Sequence, residues 1–127
     1  MRKLRFSVAG RGLVVCRLDA DAIVPGWAAR GEFFSVTRTQ EELSIVCAEE
    51  RVPVEVKRSG RLALLKLHGP FALSETGVLS CFVGPLAEAG VPVFAVATYD
   101  TDYVLVPEES LDAALGALEQ AGHELMG

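Results

Sequence analysis

Residues 92–109 read PVFAVATYDTDYVLVPEE. Two short β-rich apolar runs, Val93 to Thr98 and Tyr103 to Val106, are separated by the polar Tyr99-Asp100-Thr101-Asp102, which is the pattern of a hairpin. Pro107-Glu108-Glu109 follows, and then Leu111, Ala114, Leu115 and Leu118 recur at the i, i+3, i+4, i+7 spacing of a helix face. A proline near the first helical position costs no hydrogen bond, and two glutamates suit the positive end of a helix. The hairpin therefore hands the chain to a helix.

Working backwards, Leu62 to Leu67 (LALLKL) is strand-like. In the following segment Leu79, Phe82, Val83 and Leu86 mark the buried face of a helix that begins near Ser74 or Thr76. Gly90 and Pro92 end it. Pro85 falls inside this helix and predicts a kink near Gly84-Pro85. Beyond Gly122, His123 to Met126 leave room for one short edge strand. From residue 62 the order is βαββαβ, which folds most naturally as an antiparallel four-stranded sheet with both helices on one face, an α+β arrangement of ferredoxin-like topology.

The first half holds strands but no comparable helices. Gly12 to Leu18 reads as a buried strand. Asp19 and Asp21 open a short helix at Ala22-Ile23 that Pro25-Gly26 cuts off, and Trp27 plugs the core at this truncated connection. Phe33 to Thr37 and Leu43 to Cys47 form a second hairpin. Val54 to Lys57 is expected to pair with Leu62 to Leu67 through a tight turn at Ser59-Gly60. Shifted by 60 residues, Ser35 to Val46 lies over Ala95 to Val106, so that strand, acidic turn and strand coincide. A repeat of this kind points to two related modules in one chain. At this offset Arg38 and Thr39 fall on Thr98 and Tyr99.

Half of the 127 residues are hydrophobic and 23% are charged, a composition for a buried core and against disorder. The net charge of −5 offers no basic surface for nucleic acid. The apolar run after Arg2, Lys3 and Arg5 is too short for a secretion leader, and none reaches the roughly 18–20 residues of a membrane helix, so the chain reads as cytoplasmic. Cys16, Cys47 and Cys81 are odd in number and far apart, as expected of small buried hydrophobes in a reducing compartment. With no CxxC and no HExxH, neither a metal site nor a catalytic role for His68 or His123 is expected.

The combination of Phe33-Phe34-Ser35-Val36-Thr37, Glu42-Leu43-Ser44, Gly84-Pro85-Leu86-Ala87 and Thr98 to Val106 resembles the small bacterial ACT-domain proteins. It is also similar to the ACT modules of the CASTOR-type cytosolic arginine sensors and, more distantly, of aspartate kinases. The resemblance implies tandem ACT-like modules, a degenerate one over residues 1–60 and a complete one over 61–127. It also implies a regulatory amino-acid-binding role without a cofactor, a homodimer, and a regulated protein partner. In the arginine sensors a glutamate before the glycine of the first helix and an aspartate closing the hairpin turn help hold the basic amino acid. Glu75 and Asp102 match those positions. The implied ligand site comprises Glu75, Thr76, Gly77, Val78, Thr98, Tyr99 and Asp102, with a basic amino acid among the candidate ligands.

Elementary chemistry is compatible with this site. Free N–H groups at a helix N-terminus attract a carboxylate, a glycine there lets the ligand approach the backbone, and a nearby acid takes an ammonium or a cationic side chain. The same residues also have a plainer reading. Asp100 and Asp102 then serve only the turn, Glu75 is a first-turn acid, and Gly77 marks close helix–strand packing. On that reading the chain is a structural or protein-interaction module with no ligand.

Catalysis is not expected. Acylphosphatases share the topology but need a phosphate-cradling loop followed by Arg and an Asn on the sheet, and this chain has no Asn. Heavy-metal modules need CxxC, and RNA-recognition motifs need exposed strand aromatics in a basic setting. GxSxG, P-loop and GxGxxG patterns are all missing.

Overall fold

In the computed structural model, which describes residues 2–127, the chain separates into two compact units. One is Arg11–Leu62; the other is Ala63–Gly127 together with the N-terminal residues as far as Gly10. The sequence reading divides the chain near residue 60. The structure differs in giving the first ten residues to the later unit.

The first strand explains the difference. β1 runs from Arg5 to Leu18, seven residues longer at its start than Gly12 to Leu18. Its early part alternates Leu4, Phe6 and Val8 toward the core of the later unit, where Leu4 and Phe6 are buried. Within that unit lie β5 (Leu62–Leu67), α1 (Val78–Glu88), β6 (Phe94–Ala97), β7 (Asp102–Pro107), α2 (Leu111–Gln120) and β8 (Glu124–Leu125). Its strands are ordered β6-β7-β5-β1, with β8 on β1. His68 N–H donates to Arg5 O at 2.8 Å. β8 pairs with β1 in parallel, Arg5 opposite Glu124 and Phe6 opposite Leu125. The expected four-stranded sheet thus gains a strand: the N-terminal segment takes the place beside β5, and the short last strand lies on it. β8 has only two residues, too few to cover the edge of a six-residue strand.

Both expected helices are present, although α1 begins at Val78, after Ser74 and Thr76, because Gly77 takes a left-handed angle before it. α1 buries Val78, Phe82 and Leu86, with Leu79 and Val83 flanking, and α2 buries Leu111, Ala114 and Leu118. Phe82 packs edge-on against Phe6 with ring centroids 5.3 Å apart, the favoured geometry for two aromatic quadrupoles. A short 3₁₀ turn, Glu108–Ser110, separates Pro107 from α2, so the proline ends the strand and does not start the helix.

Pro85 lies inside α1, which continues through it. Without an N–H, Pro85 leaves the carbonyl of Cys81, four residues earlier, with no helical donor. His123 supplies one. Its Nδ1 accepts from Leu4 N–H at 3.0 Å, so the proton sits on Nε2, which donates to Cys81 O at 3.1 Å. This ring is buried and lies 5.7 Å from that of Phe82. One imidazole therefore ties the N-terminal strand, α1 and the segment after α2 together.

The unit Arg11–Leu62 is a smaller β assembly. β1 pairs antiparallel with β3 (Leu43–Ala48), from Leu13 opposite Ala48 to Leu18 opposite Leu43. β2 (Ser35–Arg38) pairs with β3. Alternate residues Val14, Cys16, Leu43, Ile45 and Cys47 face one cluster with Ala28 and Val52. Where a short helix was expected at Ala22-Ile23 there is a turn, and a 3₁₀ turn, Gly26–Ala29, follows; Trp27 is half-buried against the cluster while Ala28 fills it. Burial raises the Cys16 thiol to about 11 and that of Cys47 in the same direction.

Two expectations are corrected here. Val54 to Lys57 is not a strand: Val56 N–H returns to Pro53 O at 3.1 Å, and Val54 is 95% exposed. Only β4, Lys57–Arg58, is extended, and it pairs with β1 opposite Cys16 and Arg17. Ser59-Gly60 is no hairpin turn either, because Ser59 is itself bonded to Val15: its N–H donates to Val15 O at 2.9 Å, and its hydroxyl oxygen accepts from Val15 N–H at 3.0 Å. The repeat offset also changes. Arg38 stands opposite Leu43 and Ala97 opposite Asp102, an offset of 59. Thr39 N–H donates to Glu42 O at 2.9 Å and Thr98 N–H to Thr101 O at 2.8 Å, so Thr39 corresponds to Thr98 and Gln40 to Tyr99.

Candidate functional site

The turn between β6 and β7 is built by threonines. The Thr98 hydroxyl donates to Thr101 O at 2.8 Å and accepts from Thr101 N–H at 3.3 Å. Thr101 is buried and donates its hydroxyl to Leu67 O at 2.7 Å. Phe71 N–H donates to Asp100 O at 2.8 Å. The turn is thereby fastened to the loop that leaves β5 and leads to α1. A Cβ on Gly69 would lie 2.9 Å from Phe71 N and 3.0 Å from Asp100 O, so only glycine lets the two segments approach this closely.

At the far end of that loop Gly77 takes φ 79° and precedes α1, whose first turn no side chain caps. The N–H groups of Val78, Leu79 and Ser80 have no acceptor within the helix, because the first turn lacks preceding carbonyls. Nothing lies within 4 Å of where a Gly77 Cβ would stand. Close helix–strand packing is therefore not the reason for this glycine; its backbone angle and the open space before it are.

Turn, loop and helix start enclose a cleft of about 600 Å³, within the range of small-molecule sites. Glu75, Gly77, Val78, Thr98, Tyr99 and Asp102 all line it. Thr76, the seventh residue of the expected set, is exposed and is not among the lining residues. The sequence reading missed Phe71, Leu73, Asp100 and Thr101, which also line the cleft. Phe71 and Leu73 belong to a loop without periodicity, and only the fold brings it to the turn. Leu73 and Tyr99 are 73% and 80% exposed.

Charge in the cleft is negative. Glu75, Asp100 and Asp102 contribute three carboxylates, and among the described residues Asp100 and Asp102 enter no ion pair. Glu75 is engaged: Ala72 N–H donates to its Oε2 at 2.8 Å, and Arg2 Nη2 stands 2.9 Å from its Oε1. The Ala72 amide first, and the Arg2 guanidinium second, hold the Glu75 carboxyl below the usual carboxylate range. What these bonds add to stability is complete at neutral pH and is lost as the pH falls through that lowered value. Among the described residues no group of three or more His, Cys, Asp and Glu could hold a metal ion, and no helix is long and apolar enough to cross a membrane.

The family model for the ACT domain matches residues 58–120, and a second model, describing an N-terminal domain, matches residues 13–55. The human protein named cytosolic arginine sensor for mTORC1 subunit 1 is 32% identical over 103 residues, covering 72% of this chain and 31% of that protein. The chain thus spans about a third of the length of these relatives. A crystal structure of an Agobacterium tumefaciens protein is 37% identical with a TM-score of 0.91, covering 99% of this chain and 94% of the other. The regulatory subunit of aspartate kinase from Thermus flavus shares the fold at 16% identity, with a TM-score of 0.63 and coverage of 94% and 97%. The βαββαβ order, the cleft between turn and helix start, and these likenesses agree: the chain belongs to the ACT-domain family.

Proposed function

We propose that this chain is a regulatory module that binds an amino acid in the cleft at the start of α1. The observation that carries the reading is the meeting, in one cleft, of an uncapped helix start and the unpaired carboxylates of Asp100 and Asp102. The ligand's α-carboxylate would lie against the N–H groups of Val78 to Ser80, with Gly77 giving access. Asp102 would take its ammonium, and Thr98 and Tyr99 would border the rest. The acidic lining, with Glu75 once it is free of Arg2, favours a basic side chain, in keeping with the name of the human relative. The reading assigns the chain no catalytic role and places it in the cytosol, where Cys16, Cys47 and Cys81 would stay free thiols.

A second copy is the proposed partner in assembly. β6 pairs on one side only, with Val93 and Phe94 41% and 38% exposed beside it, and such an edge accepts another strand. Light scattering at micromolar concentration is expected to give about twice the 13.6 kDa chain mass; a strict monomer would remove this part. A change in how two copies meet is the means by which a ligand would reach a regulated protein.

The exposed Leu73 and Tyr99 at the rim suit the competing reading, a module that binds only protein. Titration calorimetry with each of the twenty amino acids separates the two. Heat with at least one, at a stoichiometry of one per chain, is the expected result, and silence with all twenty leaves the scaffold reading alone.

A further inference from the structure

One carboxylate of the cleft, that of Glu75, already holds a cationic side chain. Arg2 Nη2 lies 2.9 Å from Glu75 Oε1, and the same guanidinium stacks over Phe71 with its carbon 5.3 Å from the ring centroid. Glu75 and Phe71 both line the cleft. Arg2 therefore presents, at the rim of the site, a guanidinium group in the manner of an arginine ligand: one ion pair and one aromatic face.

Its backbone is held in place for this. The Cys81 thiol on α1 donates to Arg2 O at 2.9 Å, and two residues on Leu4 N–H is bound by His123. A group whose backbone is anchored in this way meets its partner at a high effective concentration, so even a weak contact competes with a free solute. A second cation brought to Glu75 would meet the Arg2 charge at close range. With Arg2 in place, Asp100 and Asp102 are the acids of the cleft without an ion-pair partner.

We propose that Arg2 is a built-in competitor for the cationic-side-chain subsite at Glu75. It sets the selectivity of the cleft against basic amino acids until it is displaced. This rests on the amino-acid-binding reading and adds to it the residue that governs which side chain is admitted.

Calorimetry of the full chain with L-arginine and L-leucine, for the parent, Arg2→Ala and Arg2→Ala/Glu75→Gln, tests it. An exposed pair of this kind is weak, so Arg2→Ala is expected to tighten L-arginine binding by about fivefold. L-leucine binding by Arg2→Ala should not change, and adding Glu75→Gln should cancel the gain for L-arginine. Arginine binding that is equal in parent and Arg2→Ala, or weaker in the variant, overturns the proposal while leaving the amino-acid reading intact. Arginine binding to Arg2→Ala alone would support it most strongly. If no variant binds either probe and the twenty-amino-acid titration is also silent, the reading beneath it fails too. If another amino acid binds the parent but arginine binds no variant, only the Arg2 proposal is lost.

Discussion

His123→Ala is expected to lower stability by about 2–4 kcal/mol, a fall of roughly 10 °C in the thermal midpoint. The ring serves two backbone groups, Leu4 N–H through Nδ1 and Cys81 O, which Pro85 leaves without its helical donor, through Nε2. Removing it strands both in a buried setting and opens space beside Phe82. The origin of the arrangement is Pro85, which frees the Cys81 carbonyl. The partner experiment follows from that cause. Pro85→Ala restores an amide four residues after Cys81, so the double variant should recover part of the loss. The two substitutions should then be measurably non-additive. His123→Gln, which keeps one donor and one acceptor, should lose less than His123→Ala. Urea unfolding of the parent and the four variants measures these effects, and a loss below about 0.5 kcal/mol for His123→Ala would contradict the role given to the ring.

Gly77→Val should separate binding from folding. The φ of 79° is a left-handed angle that a β-branched residue adopts only under strain, at a cost of about 1–3 kcal/mol. Nothing stands within 4 Å of the new Cβ, so packing adds no clash to that strain. A drop of several degrees in the midpoint is therefore expected, with the fold intact by circular dichroism. The new side chain would stand over the helix start where the ligand carboxylate is proposed to sit. Amino-acid affinity should accordingly fall tenfold or more, about 1.4 kcal/mol for each factor of ten. Gly90→Val is the control, since Gly90 also has a positive φ, 75°, but lies at the other end of α1. It should cost similar stability and leave affinity unchanged. Equal affinity for Gly77→Val and the parent would remove the carboxylate from that position.

The elements that sequence reading identified are those whose signal is local. The hairpin strands Phe94–Ala97 and Asp102–Pro107 are short β-rich runs on either side of a four-residue polar turn, and α1 is bounded by glycines in the left-handed region at both ends. What it missed depends on distant partners. The strand content of Phe6 to Ala9 is hidden by two following glycines, and only the open edge beside β5 gives it a place. Val54 to Lys57 has β-prone residues, but the Pro53 carbonyl and the Arg58 side chain, which donates to Pro53 O and Val56 O, fold it into a turn. The offset of 60 matches side-chain types, Val36 with Val96, Glu42 with Asp102 and Ile45 with Leu105, whereas the turn is built by a threonine hydroxyl, and aligning Thr39 with Thr98 gives 59.

The candidate site follows the same rule. Glu75 and Asp102 are named through the resemblance to the arginine sensors, and Gly77, Val78, Thr98 and Tyr99 accompany them at the same element boundaries, where turn and cap chemistry alone leaves the plainer reading open. Phe71, Leu73, Asp100 and Thr101 join them through bonds between Leu67, Phe71 and the turn. Arg2 reaches the rim from more than seventy positions away in the chain, and no spacing announces that contact.

The most direct measurement is amide chemical-shift mapping of the ¹⁵N-labelled chain as each amino acid is added. At least one should move the N–H signals of Val78, Leu79 and Ser80 together with those of Thr98 to Asp102, saturably and as one set. Shifts confined to other parts of the chain, or none with any of the twenty, would contradict the assignment of this cleft as an amino-acid site.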